Sequence, residues 1–258
     1  LVVLAALGAM DVWRWLSSPG ARPNWRPYAV VLAHVGLALV YTTPWDNYLV
    51  ATGVWWYDPD LVTGITLGYV PIEEYTFFVM QTLLTGLWTV WLVRGGEEIK
   101  EPPPSMRGAA VRRRAFALTA LGSLALLFSG WERGAYLALI LSWALAPVLV
   151  QAAFGADILT ANWRRVALAV TIPTVYLWGV DMVALSSGTW VVDPAQTTGL
   201  TVDKLPLEEM VFFLITNLLI DFGVTLMLSA VAERRARALA AWLRHKVRQR
   251  RESPDAAA

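Results

Sequence analysis

The chain has 258 residues, 57% hydrophobic and only 16% charged, with a net charge of +1 and a mean hydropathy of +0.50. Soluble domains carry about a quarter charged residues, so this composition excludes an ordinary water-soluble enzyme, and its hydrophobicity excludes disorder. The absence of Cys excludes thiolate metal sites, thiol nucleophiles and disulfides; two His, His34 and His245, exclude a multi-His metal centre. No Gly-rich phosphate loop is present, so neither a nucleotide, a metal nor any other cofactor is expected.

Seven apolar stretches follow in order, at 1–16, 28–44, 71–93, 115–131, 134–153, 165–180 and 206–231. A membrane-crossing helix needs about 20 residues. The first stretch is short, which fits a clipped N-terminus. The connections alternate in charge: 19 of the 21 Lys and Arg fall in one set, including Arg164, Arg165 and a basic tail, and only Arg133 and Lys204 in the other. Basic loops stay cytoplasmic, which places the N-terminus outside and the C-terminus inside a multi-pass chain in the cytoplasmic membrane. The 14 Trp suit the headgroup level. The tail reads as a topology determinant with anionic lipid as its other reading, and no nucleic-acid partner is expected.

A constant offset of 135 residues, without a gap, superimposes two segments. Tyr41 matches Tyr176, Asp46 matches Asp181, Trp55 matches Trp190, and Asp58-Pro59 matches Asp193-Pro194. Pro71-Ile72-Glu73-Glu74 matches Pro206-Leu207-Glu208-Glu209, and Phe77-Phe78 matches Phe212-Phe213. The offset carries the first three spans onto the last three and leaves the fourth unmatched. The fold expected is an all-α integral membrane protein of seven transmembrane helices, two parallel three-helix repeats plus one linker helix. Its parts are a first repeat at 1–93, a hinge and linker span at 94–133, a second repeat at 134–231 and a basic cytoplasmic tail at 232–258.

Pro71 and Pro206 suit the first turn of a helix, and Glu73 and Glu208 then favour its dipole. Helix capping explains one Glu per motif but not a doubled Glu followed by a doubled Phe. Phe77 and Phe78 lie four residues beyond Glu73 and Glu74, so each acid sits above a ring. A carboxyl withdrawn from water against aromatics keeps its proton more readily. Such an acid beside an ionised partner forms a general acid–base pair. Glu73, Glu74, Glu208 and Glu209 are the catalytic candidates, and Asp46 and Asp181 support them. The loops 45–70 and 180–205 read as short β-hairpins over the glutamates, in which Trp55 and Trp190, with Phe77, Phe78, Phe212 and Phe213, offer aromatic faces to substrate or to a cation. Asp58 and Asp193 read as turn residues. His34 reads as an interhelical hydrogen-bonding residue, Asp11 as a partner of Arg14, and Asp221 needs a partner that the pattern does not name.

The repeated Pro-[Ile/Leu]-Glu-Glu-x-x-Phe-Phe, with its upstream Trp and Asp-Pro, resembles the non-flavin lycopene cyclases, in their fused two-repeat form. The resemblance covers roughly residues 28–93 and 163–230. It implies that the four glutamates are essential acids placed by Pro71 and Pro206, and that lycopene or a related carotenoid is the partner, dissolved in membrane lipid. It implies an isomerisation that turns ψ-ends into β-rings without redox change. A relative acting on C50 carotenoids or forming ε-rings is the alternative within the family. From another class, a proton-coupled transporter would favour acids at mid-membrane in both repeats.

Overall fold

The computed structural model describes residues 25–95, 99–102 and 131–252, with single positions 9, 13, 17, 114, 118, 121, 122 and 125. The expected spans at 1–16 and 115–131, Asp11 with Arg14, and most of the hinge lie outside the described residues.

Helix α1 (Arg26–Ala51) leads into strands β1 (Trp55–Tyr57), β2 (Thr66–Leu67) and β3 (Val70–Pro71), and then α2 (Ile72–Arg94). Helix α3 (Ala135–Ala161) and α4 (Trp163–Ser187) precede β4 (Trp190–Val192), β5 (Thr201–Val202), β6 (Leu205–Pro206) and α5 (Leu207–Leu228), and α6 (Ala230–Glu252) closes the chain. Helices α1, α2, α4 and α5, and α3 with the 3-10 turn before it, are long and apolar enough to cross a membrane. The chain is membrane-embedded and mostly helical.

The elements repeat at the sequence offset: β1 to β3 and the start of α2 recur 135 residues later as β4 to β6 and the start of α5. Helices α2 and α5 pack against each other at the centre, each flanked by the helix that precedes it in its own repeat. Helices α1 and α4 outrun their apolar stretches, so Asp46 and Asp181 stand inside helices rather than at their ends. A helix satisfies its own backbone in lipid whatever side chains it carries. Helix α4 stops at Gly188, whose φ of +74° is the left-handed conformation a helix end favours.

The outer loops differ from the expected hairpins. The Trp strands pair with one another across the repeats: β1 runs antiparallel to β4, with Trp56 opposite Val191. Those two residues are equivalent at the repeat offset, so the pairing is centred on the relation between the halves. The true hairpins lie further on, β2–β3 and β5–β6. Their two-residue turns need a left-handed residue; Gly68 supplies φ +72° in one and Asp203 φ +55° in the other.

The span expected at 206–231 breaks at Ser229, whose ψ of 127° is extended. Beyond it α6 packs against the ends of α1 and α3. Arg235 bonds Asp157 of α3 at 2.5 and 2.9 Å, and Arg26 of α1 bonds Glu233 at 2.9 Å.

Arg165 is not a loop charge. It sits in the first turn of α4, where its side chain is 1% exposed, and its guanidinium bonds Asp221 at 3.3 Å and Thr225 at 2.7 Å. It is the partner Asp221 lacked in the sequence pattern. Above this pair Thr89 donates to Asp221, Thr85 to Asn217, and Gln81 to Thr216, forming a polar seam between α2 and α5. Such pairs join helices in lipid, where few other polar partners exist.

Candidate active site

Each Pro-x-Glu-Glu motif folds the same way. Pro71 and Pro206 are not in the helical turn itself; each ends the hairpin in extended conformation and caps the helix that follows. The backbone N–H of Ile72 returns to Ile65, and that of Leu207 to Leu200. The two glutamates of each pair then lie in one first turn but face opposite ways, because successive helical residues are about 100° apart.

Glu73 and Glu208 turn toward the loops. Each accepts a backbone N–H at 2.7 Å, Glu73 from Thr63 and Glu208 from Thr198. They fasten the loop that crosses the helix start. Glu208 is fully buried, whereas Glu73 is half-buried.

Glu74 and Glu209 turn inward. They line one cavity of about 40 Å³ together with Asp46, Asp181 and Tyr136. No Lys, Arg or His is among its described lining residues. Its remaining wall is mostly aromatic, from Trp45, Trp55, Trp190, Phe77, Phe78, Phe212 and Phe213, with Leu49 and Val192. Phe77 meets Phe213 edge-on across the repeats with centroids 5.8 Å apart. Four of the six expected acids therefore meet in one chamber, and all six expected aromatic residues wall it.

Asp46 and Asp181 are fixed by the strands. Trp55 donates its indole N–H to Asp46 at 3.2 Å, and Trp190 donates to Asp181 at 2.9 Å. The second oxygen of each aspartate is buried without a hydrogen-bond partner among the described residues. Because β1 and β4 pair, one strand ladder positions both Trp–Asp units. Asp58 and Asp193 stay outside the cavity as turn residues, accepting from the N–H of Asp60 and Ala195. The Gln196 amide and the Ala195 N–H hold the exposed Asp193 carboxyl below the usual carboxylate range.

Sequence reading missed Tyr136. Its hydroxyl donates to Glu209 at 2.7 Å, and the residue is 4% exposed. The repeat offset puts Leu1 at the corresponding place, so the pattern of matched residues gave no signal. No described residue donates a hydrogen bond to Glu74. His34 also differs from expectation: its Nδ1 bonds Val30 of its own helix at 2.8 Å rather than a neighbouring helix. It lines a second cavity of about 250 Å³ that shares Phe78 and Phe212 with the first.

An acid-lined, aromatic-walled chamber inside a membrane protein is suited to moving protons on an apolar molecule. The lycopene cyclase family model matches residues 9–92 and 133–230. A lycopene beta-cyclase of Halobacterium salinarum (strain R1) is 40% identical over 224 residues, covering 86% of this chain and 90% of that protein. A bifunctional lycopene cyclase/phytoene synthase of Colletotrichum graminicola is 38% identical over 206 residues, covering 77% of this chain and 35% of that protein. The protein of the same description from Gibberella fujikuroi is 37% identical over 193 residues, covering 74% and 33%. No solved structure matches. The chain belongs to the lycopene cyclase family.

Proposed function

We propose that this protein is a lycopene β-cyclase that closes ψ-ends of lycopene into β-rings inside the membrane, with Glu74 and Glu209 as its acid–base pair. The observation that carries the reading is the single cavity in which carboxyls from both repeats face aromatic rings with no cationic side chain among the described lining residues. Carboxyls from both repeats in one cavity place a proton donor and a proton acceptor within the same site.

Glu74 is the proton donor. It takes no hydrogen bond from a described residue that would favour its anion, whereas the Tyr136 hydroxyl supports a carboxylate on Glu209. The Glu74 proton goes to the terminal double bond of the ψ-end and leaves a tertiary cation. The C5–C6 double bond supplies the electron pair that closes the six-membered ring and moves the charge to C5. Glu209 removes the proton from C6, and the new double bond neutralises the cation. One proton enters and one leaves, so the product is an isomer of the substrate. The aromatic wall stabilises the cation and keeps out the water that would trap it. The proton returns from Glu209 to Glu74 through the shared carboxyl cluster.

Glu73 and Glu208 act by holding the loops over the cavity. Pro71 and Pro206 set the helix starts, and the Trp-fixed Asp46 and Asp181 complete the cluster. The chain crosses the cytoplasmic membrane with its N-terminus outside, its C-terminus inside and two parallel three-helix repeats around the site. Basic residues concentrate on one side of the spans, which supports that orientation. A transporter reading is disfavoured because Asp221 is paired with Arg165 and has Gly86 at the matching position of the first repeat.

The test is expression in bacteria that accumulate lycopene, with the pigment separated by chromatography. The wild-type chain converts lycopene to ring-bearing product. Glu74→Gln and Glu209→Gln each lose on the order of a hundredfold or more of the cyclisation rate while inserting normally. Unchanged lycopene beside a folded, inserted wild-type chain sinks the reading.

A further inference from the structure

The acid chamber is too small for its task. A volume of about 40 Å³ accommodates two or three waters, not the end of a branched hydrocarbon. Next to it lies the cavity of about 250 Å³, separated by the rings of Phe78 and Phe212. Building on the cyclase reading, we propose that this second cavity is the binding channel for the polyene chain of the carotenoid, entered sideways from the bilayer between α1 and α3, with Phe78 and Phe212 as the gate to the acids.

Three observations carry this. First, the cavity follows the membrane-spanning direction. On α1 its lining runs from His34 to Thr42 and on α3 from Trp143 to Gln151, which at 1.5 Å per residue is about 12 Å of helix on each wall. A linear chain lies along such a slot with one end at the acids.

Second, the slot reaches lipid. Leu37 and Tyr41 line it and are also 60% and 44% exposed. Among the described residues, α1 and α3 approach through side chains rather than by close helix packing. Tyr41 donates to the Trp143 carbonyl at 2.7 Å, and the Trp45 indole donates to the Leu139 carbonyl at 3.3 Å. These two side-chain hydrogen bonds make a narrower seam than a close helix–helix interface, and it is the seam nearest the slot.

Third, an unbroken run of rings joins the lipid face to the reaction chamber. Tyr41 stacks on Trp143 at 5.6 Å, Trp143 on Trp45 at 4.6 Å, and Trp45 on Phe212 at 5.9 Å. Flat aromatic faces suit a flat conjugated chain better than a saturated, kinked one. The inner end of the slot is closed by His34, whose Nε2 would lie 2.1 Å from a Cβ built on Gly223. A side chain at position 223 would push that end shut.

The natural absence of Cys makes the channel addressable one position at a time. Ala38→Cys puts a thiol on the wall, and Val183→Cys puts one on the 70%-exposed lipid face of α4 as a control. Labelling with a small membrane-permeant maleimide is followed by mass spectrometry on the full chain in detergent. Lycopene slows labelling of Ala38→Cys at least about tenfold, a saturated isoprenoid hydrocarbon does not, and neither affects Val183→Cys. A bulky maleimide adduct on Ala38→Cys then lowers cyclisation about a hundredfold relative to the same variant unlabelled. Leu219→Cys, on the opposite wall, gives the same readings if Ala38→Cys folds poorly. Equal labelling with and without lycopene, equal protection by the saturated hydrocarbon, or full turnover with the bulky adduct in place overturns the channel. Lycopene protection of Ala38→Cys from labelling, with no ring formed by that variant or by the wild-type chain, fails the cyclase reading instead and leaves the channel standing.

Discussion

The two repeats build the same scaffold from different interiors. Their outer faces match nearly atom for atom: Trp55 on Asp46 and Trp190 on Asp181, Thr63 on Glu73 and Thr198 on Glu208. Their inner partners diverge. Glu209 has the hydroxyl of Tyr136, and Glu74 has no described donor. Asp221 has Arg165, where the first repeat has Gly86 and Val30 at the corresponding places. A symmetric frame brings carboxyls together; departures from symmetry give them different tasks. One acid and one base need unlike surroundings.

The comparison breaks most sharply at the buried ion pair. Arg165→Leu strands the Asp221 charge among apolar helices and destabilises the protein by about 3–5 kcal/mol, read as a lower unfolding temperature in detergent. Arg165→Leu combined with Asp221→Leu recovers most of that loss, because no charge is left uncompensated. A double variant as unstable as the single one would mean that the pair serves the fold through its hydrogen bonds to Thr89 and Thr225 rather than by cancelling charge.

Next comes Tyr136→Phe. It removes one hydrogen bond to a charged group, worth about 1.5–3 kcal/mol, so kcat falls roughly ten- to a hundredfold with little change in KM. The effect sharpens the contrast between repeats, since the first repeat has Leu at the equivalent position. An unchanged kcat argues that Glu209 does not work as the anion.

The loop anchors rank third. Glu208→Ala removes a fully buried carboxyl, leaves the half-buried Thr198 N–H without its acceptor and costs about 1–3 kcal/mol, while Glu73→Ala, at a half-buried place, costs less. Thermal unfolding of the two variants side by side decides the order.

The smallest effect lies at the clasp between the halves. Hydrogen bonding to Arg26, with Arg26 and Arg237 nearby, holds the half-buried Glu233 carboxyl below its usual range. A depressed carboxylate contributes stability above its unfolded pKa and loses it as pH falls through the folded one. Exchange protection of the α6 amides, measured by deuterium uptake, therefore weakens on acidification, and Glu233→Gln removes that dependence.

Much of this was legible in the sequence, for a physical reason. Burial in lipid imposes long apolar runs, and a repeat without gaps carries equivalent residues to equivalent places, so the spans at 28–44, 71–93, 134–153, 165–180 and 206–231 and the acids that meet at the cavity could be read directly. Facing within a motif was harder. Glu73 and Glu74 are adjacent in sequence, and only the hairpin that crosses the helix start sends one to a loop amide and the other to the cavity. Pairing across repeats was also hidden, since Trp-rich strands look alike whether they fold on themselves or on their equivalents. Tyr136 and Arg165 escaped because repeat matching highlights what the halves share and passes over what only one possesses.

The ladder in which Trp56 faces Val191 has a consequence for how such molecules assemble. It is a handshake between equivalent segments, closed by backbone hydrogen bonds that do not require the halves to be covalently joined. A covalent connection adds effective concentration to such a pairing. Severed between α2 and α3 and co-expressed, the two pieces should find each other through that clasp and regain colour-forming ability, turning one polypeptide into a complementing pair.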